Sequence, residues 1–242
     1  MYIRLKSIVT VFLPLFLFMG CSQRPAQPSR EVTDFQERTP GDSTVYALAA
    51  EGTGDSILVY LELPYKGADP DTVNVLEAIT HRQMFGRPEV GDNVAIVLND
   101  TDATEARCVI VTDNLIGQWC YEELPTLRRK LGEGPLPQRL QEMLEVPREY
   151  GIILKPGGVA ITIGARARQG DGKLPVVYPL AKNYGRWEIF NGRLVFSEIK
   201  RDTADNITVI GTDTAFFIRM RRDTLVLRFP DGEHSYYKKE SD

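Results

Sequence analysis

The sequence predicts an all-β protein made of two successive β units, the second an antiparallel up-and-down barrel with a short helix in its first loop. Three observations carry this reading. From Ser43 onward the apolar residues fall in short runs broken by clusters of Gly, Pro, Asp and Asn, which is how strands and turns are written. Toward the C-terminus Leu225, Leu227 and Phe229 alternate with Val226 and Arg228, and Phe216, Ile218 and Met220 are set against Arg219 and Arg221, a period of two that predicts one face in and one face out. Asp202-Thr203, Asp213-Thr214 and Asp223-Thr224 recur at the spacing of one strand plus one turn, so the pairs read as turn residues rather than as metal carboxylates.

Composition removes several function classes. The chain has 242 residues, 43% hydrophobic and 26% charged, an ordinary globular balance. With 29 Lys+Arg against 33 Asp+Glu and a net charge of −4, it lacks the basic footprint of a nucleic-acid binder. Two histidines and three cysteines supply almost nothing for a zinc site, and no metal or other cofactor is expected. No Cys-x-x-Cys and no Gly-x-Ser-x-Gly occurs, which argues against thiol redox chemistry and a nucleophile elbow. His81, on a predicted helix, and His234, opening the last strand, read as surface imidazoles. The protein is expected not to be an enzyme.

Residues 1–20 carry Arg4 and Lys6 and then an uncharged run from Ile8 to Gly20 containing Pro14. That run is too short to span a bilayer and reads as a secretory signal peptide. Phe18-Met19-Gly20-Cys21 resembles the bacterial lipobox, which implies that Cys21 is acylated, by palmitate among other chains, and becomes the N-terminus. Residues 21–42 are Pro-rich and poor in large apolar side chains, as expected of a flexible tether. The same resemblance to lipoproteins, with no acidic run after Cys21, implies an outer-membrane anchor and a periplasm-facing protein.

Residues 43–113 form the first unit. The runs TVYALA, SILVYLEL, TVNVL, NVAIVL and ARCVIV predict five strands, with a helical turn at Leu76 to Arg82 between the third and fourth. This is the element order of an OB-like five-stranded barrel. Its strands show no aromatic row interleaved with Lys or Arg, so a nucleic-acid stacking platform is missing and the unit reads as an adaptor.

Residues 114–242 form the second unit. Gly117-x-Trp119, the run Gly151-Ile-Ile-Leu-Lys-Pro-Gly-Gly158, Tyr184-Gly-Arg-Trp187 and Leu225-Val-Leu227, in that order, resemble the lipocalin-like domain of bacterial envelope lipoproteins over Leu115 to Lys239. The resemblance implies an up-and-down barrel plugged at one end by Trp119 and open at the other. It also implies a basic residue over that tryptophan, for which Arg219, Arg221 and Arg228 compete.

Between Tyr121 and Gly151 the chain is too long for a hairpin. Leu136, Leu140, Met143 and Leu144 fall on one helical face, with Pro137 in the first turn. In lipocalin-like barrels this loop hangs over the mouth, which implies a lid; the alternative is a plug in a solid core. Arg166, Arg168 and Lys173, in the loop Ala165 to Asn183, form either a cationic rim or solvated charges, and Arg128-Arg129-Lys130 adds only weak attraction to anionic head groups. Cys108 and Cys120 read either as a bridge or as buried thiols.

The expectation for function is a lipid-anchored envelope protein that binds rather than reacts. In one reading the barrel holds a small hydrophobic ligand lined by Trp119, Ile152, Leu154, Trp187, Ile189, Phe196, Phe216, Ile218 and Leu227. In the other the barrel is solid, and the two units form a structural or stress-sensing interaction module for an envelope protein. An eight-stranded barrel is wide enough for either.

Overall fold

The computed structural model describes residues 39–128, 135–164, 176–202 and 206–240. The signal segment, Cys21, most of the tether, Arg129, Lys130, Arg166, Arg168, Lys173 and Thr203 lie outside the described residues.

The apolar runs of the first unit become strands β1 (Val45–Ala49), β2 (Ile57–Glu62), β3 (Asp71–Asn74), β5 (Asn93–Leu98) and β6 (Ala106–Val111). Between β3 and β5 lie helix α1 (Leu76–Thr80) and a two-residue strand, β4 (Met84–Phe85). The Asn74 side chain accepts the Leu76 N–H at 2.9 Å, and Ala78 is fully buried. The expected helix to Arg82 stops at Thr80, because Arg82 takes φ +58° and turns the chain into β4. Strand order is β3-β2-β1-β5-β6-β4, and a single parallel bridge, Asn74 to Glu105, returns β3 toward β6. The five expected strands are thus present with β4 added, as a six-stranded sheet whose OB-like closure is represented among the described residues by that one bridge. The short β4, pairing parallel with β6, was not foreseen; two residues are too few to show a period.

A short helix, α2 (Thr112–Leu115), leads into the second unit. Its barrel strands are β7 (Gly117–Glu123), β9 (Arg148–Lys155), β10 (Val159–Ile163), β12 (Tyr184–Phe190), β13 (Arg193–Arg201), β14 (Ile207–Met220), β15 (Thr224–Phe229) and β16 (Gly232–Lys239). Each pairs antiparallel with the next, and β16 pairs with β7, closing an eight-stranded up-and-down barrel. This is the architecture that the lipocalin-like resemblance implies. The turn between β12 and β13 is Asn191-Gly192, at φ +49° and +77°, the residue pair that a tight two-residue hairpin favours. The insert after β7 contains β8 (Thr126–Leu127) and helix α3 (Gln138–Leu144). β8 pairs with β11 (Val176–Val177) from the second long loop, and α3 packs beside β11.

The alternation proposed for β14 is corrected at two positions. Phe216 and Ile218 are 48% and 36% exposed, while Ala215, Phe217 and Met220 face inward. A register shift between Phe217 and Arg219 puts a bulge at Ile218, and one extra residue flips the face of everything before it. Arg193 then covers the exposed Phe216 ring at 4.6 Å. The Asp-Thr repeat also misleads once: Asp223-Thr224 lies where a turn meets β15, but Asp213-Thr214 sits inside β14.

Residues 43–113 and 114–242 share one core. Tyr46, Leu63, Phe85, Val97, Cys108 and Leu115 belong to the same buried cluster as Trp119, Trp187, Ile189, Leu194 and Phe217. The first sheet keeps a second cluster of its own, around Leu58, Val73, Ile96 and Val109. Phe85 meets Phe217 with ring centroids 5.1 Å apart, and a Cβ on Gly192 would stand 3.4 Å from the Cys108 Sγ. The first sheet therefore seals the barrel end that carries the β9–β10, β12–β13 and β14–β15 turns. Thr39–Asp42, expected to end the tether, are bonded to the same end. Asp42 Oδ1 accepts the Asn191 N–H at 2.9 Å, Asn191 Oδ1 accepts the Ser43 hydroxyl at 2.7 Å, and Thr39 donates to Glu188 at 2.7 Å.

Candidate functional site

The two ends of the barrel differ. At the closed end Trp119 is 1% exposed and its indole N–H donates to the Leu115 carbonyl at 2.7 Å. The cation over its ring is Lys238, with Nζ 5.1 Å from the centroid, and not Arg219, Arg221 or Arg228. Register explains the choice, since Lys238 stands opposite Trp119 where β16 closes onto β7. Gly117 is required there: at φ +137°, a Cβ on it would approach Lys238 Cε to 2.6 Å. Burial, then the nearby Arg222, holds the Lys238 ammonium below its ordinary pKa. The Gly-x-Trp signal thus encodes a plug and the space for its cover.

Leu154, Trp187, Ile189, Phe196 and Leu227 are likewise buried, so this half of the barrel is packed with side chains. Cys108 and Cys120 are free and buried. Burial pushes the Cys108 thiol up to about 12 and raises Cys120 as well.

The opposite half is open. A cavity of about 400 Å³ lies at the mouth, walled by Tyr121, Ile152, Ile163, Tyr184, Phe229 and Tyr236 and reached by Lys182, Asp213, Asp231 and His234. Of the ligand-lining residues expected from sequence, Ile152 lines it. Phe196 lies beneath, stacked on Tyr184 at 5.0 Å and on Phe229 at 6.1 Å. Trp119, Leu154, Trp187, Ile189 and Leu227 belong to the packed half, and Phe216 and Ile218 face outward. Leu140, Met143 and Leu144 lie on α3 and are half-buried, whereas Leu136 falls before the helix, which starts at Gln138 because Pro137, expected in the first turn, is its extended N-cap; none of the four lines the cavity.

The wall is built by alternation continued past the plug. Tyr121 follows Trp119 by two residues on the inward face of β7, and Tyr236 faces it across β16, with rings 5.3 Å apart. Tyr150 stacks on Tyr121 at 5.6 Å and donates its hydroxyl to the Pro179 carbonyl at 2.8 Å. That bond holds the segment after β11 against the barrel, where Pro179, Leu180 and Ala181 line the cavity.

The polar groups form two sets. Lys182 Nζ donates to both Asp213 oxygens, at 2.8 and 2.7 Å, and the Tyr184 hydroxyl also donates to Asp213. Burial opposes the charge on Asp213, but Lys182 and Tyr184 outweigh it and hold the carboxyl below its ordinary range. Burial, with Asp213 second, raises the Tyr184 phenol. Across the mouth, His234 Nε2 lies 3.3 Å from Asp231 Oδ1 and its ring sits edge-on to Phe229. Burial and then Glu123 push the Tyr121 phenol up to about 12, and burial raises Tyr236 too. The tyrosines are therefore neutral donors and acceptors at any ordinary pH. Among the described residues no buried side-chain N or O atom lacks a partner, and none of those residues hydrogen-bonds the hydroxyls of Tyr121 and Tyr236, so both hydroxyls reach accessible space.

Sequence reasoning missed Tyr121, Tyr184, Tyr236, Phe229, Lys182 and Asp213. Extending the Trp119 alternation by one step would have found Tyr121. Lys182 and Asp213 carried no signal, since a loop residue and a mid-strand residue meet only through the closed sheet. His81, by contrast, is exposed, with Nδ1 beside the Glu77 carbonyl. Among the described residues no group of three His, Cys, Asp or Glu side chains is placed to hold a metal ion, and no helix is long and apolar enough to cross a membrane.

Comparison with protein-family models finds no match, and comparison with curated proteins finds none. Among solved structures, a lipocalin-like protein from Bacteroides thetaiotaomicron is similar at 20% identity and a TM-score of 0.30, covering 52% of this chain and 97% of that one. The barrel assignment rests on the strand pairings themselves.

Proposed function

We propose that this is a lipid-anchored envelope protein that holds a small, largely apolar molecule in the open half of its barrel and performs no chemistry on it. The observation that carries this reading is the cavity of about 400 Å³, within the size range of small-molecule pockets. Its walls are aromatic and aliphatic, with a few convergent polar groups, the usual composition of such sites. Support for a non-catalytic role comes from the lining. Among the described residues it includes no serine or cysteine, and the Thr162 hydroxyl already accepts the Tyr184 N–H at 2.9 Å.

Native mass spectrometry of protein purified from its own envelope tests the binding. A retained molecule of defined mass, lost in Ile163→Trp, supports carriage; a clean apo mass for both proteins overturns it. Anchoring rests on the lipobox resemblance and has its own test. Cys21→Ser is expected to abolish incorporation of labelled palmitate, and continued labelling would remove the anchor from the reading.

The packed closed half favours a second reading, in which the fused sheet and barrel form a stress-sensing or structural surface for an envelope partner. Under that reading Ile163→Trp leaves the protein's cellular role unchanged.

A further inference from the structure

We infer that the mouth cavity selects an amphiphile with an ammonium head over one with a carboxylate head. The inference rests on the ligand-binding reading above and names the class of molecule bound. The argument starts from charge. Asp213, Asp231 and Glu123 line the cavity, and Lys182 is the one ammonium lining it among the described residues. With histidine counted neutral, the described lining residues carry two more negative than positive charges, and a further cation, Arg148, stands opposite Glu123 in the strand register.

Lys182 is also committed, because both Asp213 oxygens take its hydrogen bonds at 2.8 and 2.7 Å. An incoming carboxylate finds no uncommitted ammonium among the described lining residues, and it would be desolvated beside carboxylates that repel it. Glu123, by contrast, has no hydrogen-bond or ion-pair partner among the described residues, and Asp231 is held only by His234, at 3.3 Å. Both stand at the exposed rim, where a cationic head would meet them.

The aromatic wall favours the same ligand. Tyr121, Tyr184, Phe229 and Tyr236 line one space, each with one face or edge engaged by another ring, and any ring face left to that space attracts an organic cation while giving a carboxylate nothing comparable. Below the rim, Ile152, Ile163 and Phe229 over Phe196 offer an apolar floor for the tail. Cavity, charge and rings therefore agree: apolar body down, ammonium at the rim.

The test is titration calorimetry of the full-length protein at pH 7 and low salt with decyltrimethylammonium and with decanoate, each below its micelle concentration. The ammonium is expected to bind at least tenfold more tightly, with the preference shrinking as salt rises. Glu123→Gln combined with Asp231→Asn, both at exposed positions, is expected to cut the preference several-fold. Circular dichroism checks that this variant keeps its fold. Equal or tighter binding of decanoate overturns the inference while leaving the carriage reading intact, and it would direct attention to Arg166, Arg168 and Lys173. Binding of neither probe, together with a clean native mass, overturns both.

Discussion

Trp119→Ala removes the residue on which the two halves of the molecule converge. The indole is 1% exposed, lies in the cluster shared by sheet and barrel, and is capped by Lys238. Truncating a buried Trp costs about 3–5 kcal/mol. The Leu115 carbonyl also loses its donor, which adds about 1 kcal/mol. A total of about 4–6 kcal/mol is large against the roughly 5–15 kcal/mol that a folded domain has to lose. For a chain of this size it corresponds to a melting temperature about 10–20 °C lower. The assay is calorimetry alongside far-ultraviolet circular dichroism. Because the core is continuous from Tyr46 to Phe217, sheet and barrel should melt in one transition, and the whole transition should move. A variant melting within about 2 °C of the parent, or a two-step melt in which the barrel shifts alone, would refute the argument. Trp187→Ala is the comparison. That side chain is 4% exposed and donates to the Lys155 carbonyl at 3.0 Å, so its loss should be of similar size.

Three further outcomes follow from single sites. Gly192→Ala places a Cβ at φ +77° and 3.3 Å from Val97, which should destabilise the protein by about 1–2 kcal/mol; an unchanged denaturation midpoint would show that the turn relaxes freely. Asp213 has its pKa held low, so its pairing contributes stability above the ordinary carboxylate pKa of about 4 and loses it as pH falls through the lower folded value. The melting gap between parent and Asp213→Asn should therefore close in acid, and a gap that stays constant from neutrality to pH 3 would count against the pairing. In a Cys21→Ser background, Cys108 and Cys120 should resist iodoacetamide until the protein unfolds, because both are buried and both thiols are raised; rapid labelling of native protein would contradict this.

The barrel was readable because its strands follow one another around the closed sheet, so sequence order and spatial order coincide. Gly117, Trp119 and the Leu225-Leu227-Phe229 alternation placed the plug and one wall correctly. Phe216 and Ile218 failed for a local reason: a bulge at Ile218 leaves no trace in the hydrophobic pattern when Phe216 and Phe217 are both aromatic. The division at residue 113 was drawn from a change of pattern along the chain. The burial of Phe85, Leu63 and Cys108 against barrel residues is a property of surfaces that meet only after folding. The mouth was hardest to read, because Lys182, Asp213 and Tyr184 come from a loop and two strands, and their types alone do not announce a shared location.

The bonds that tie Thr39–Asp42 to Glu188 and Asn191, at the closed end of β12, set the direction from which the molecule is loaded. Tension arriving along the N-terminal segment is taken up by Thr39, Asp42 and Ser43 on the closed end. Of the strands around the cavity, β12 takes part of that load directly, because Glu188 and the cavity residue Tyr184 lie on the same strand. Tension along the N-terminal segment would therefore be felt at the sealed base first and would reach the mouth along β12, at Tyr184 on the cavity wall.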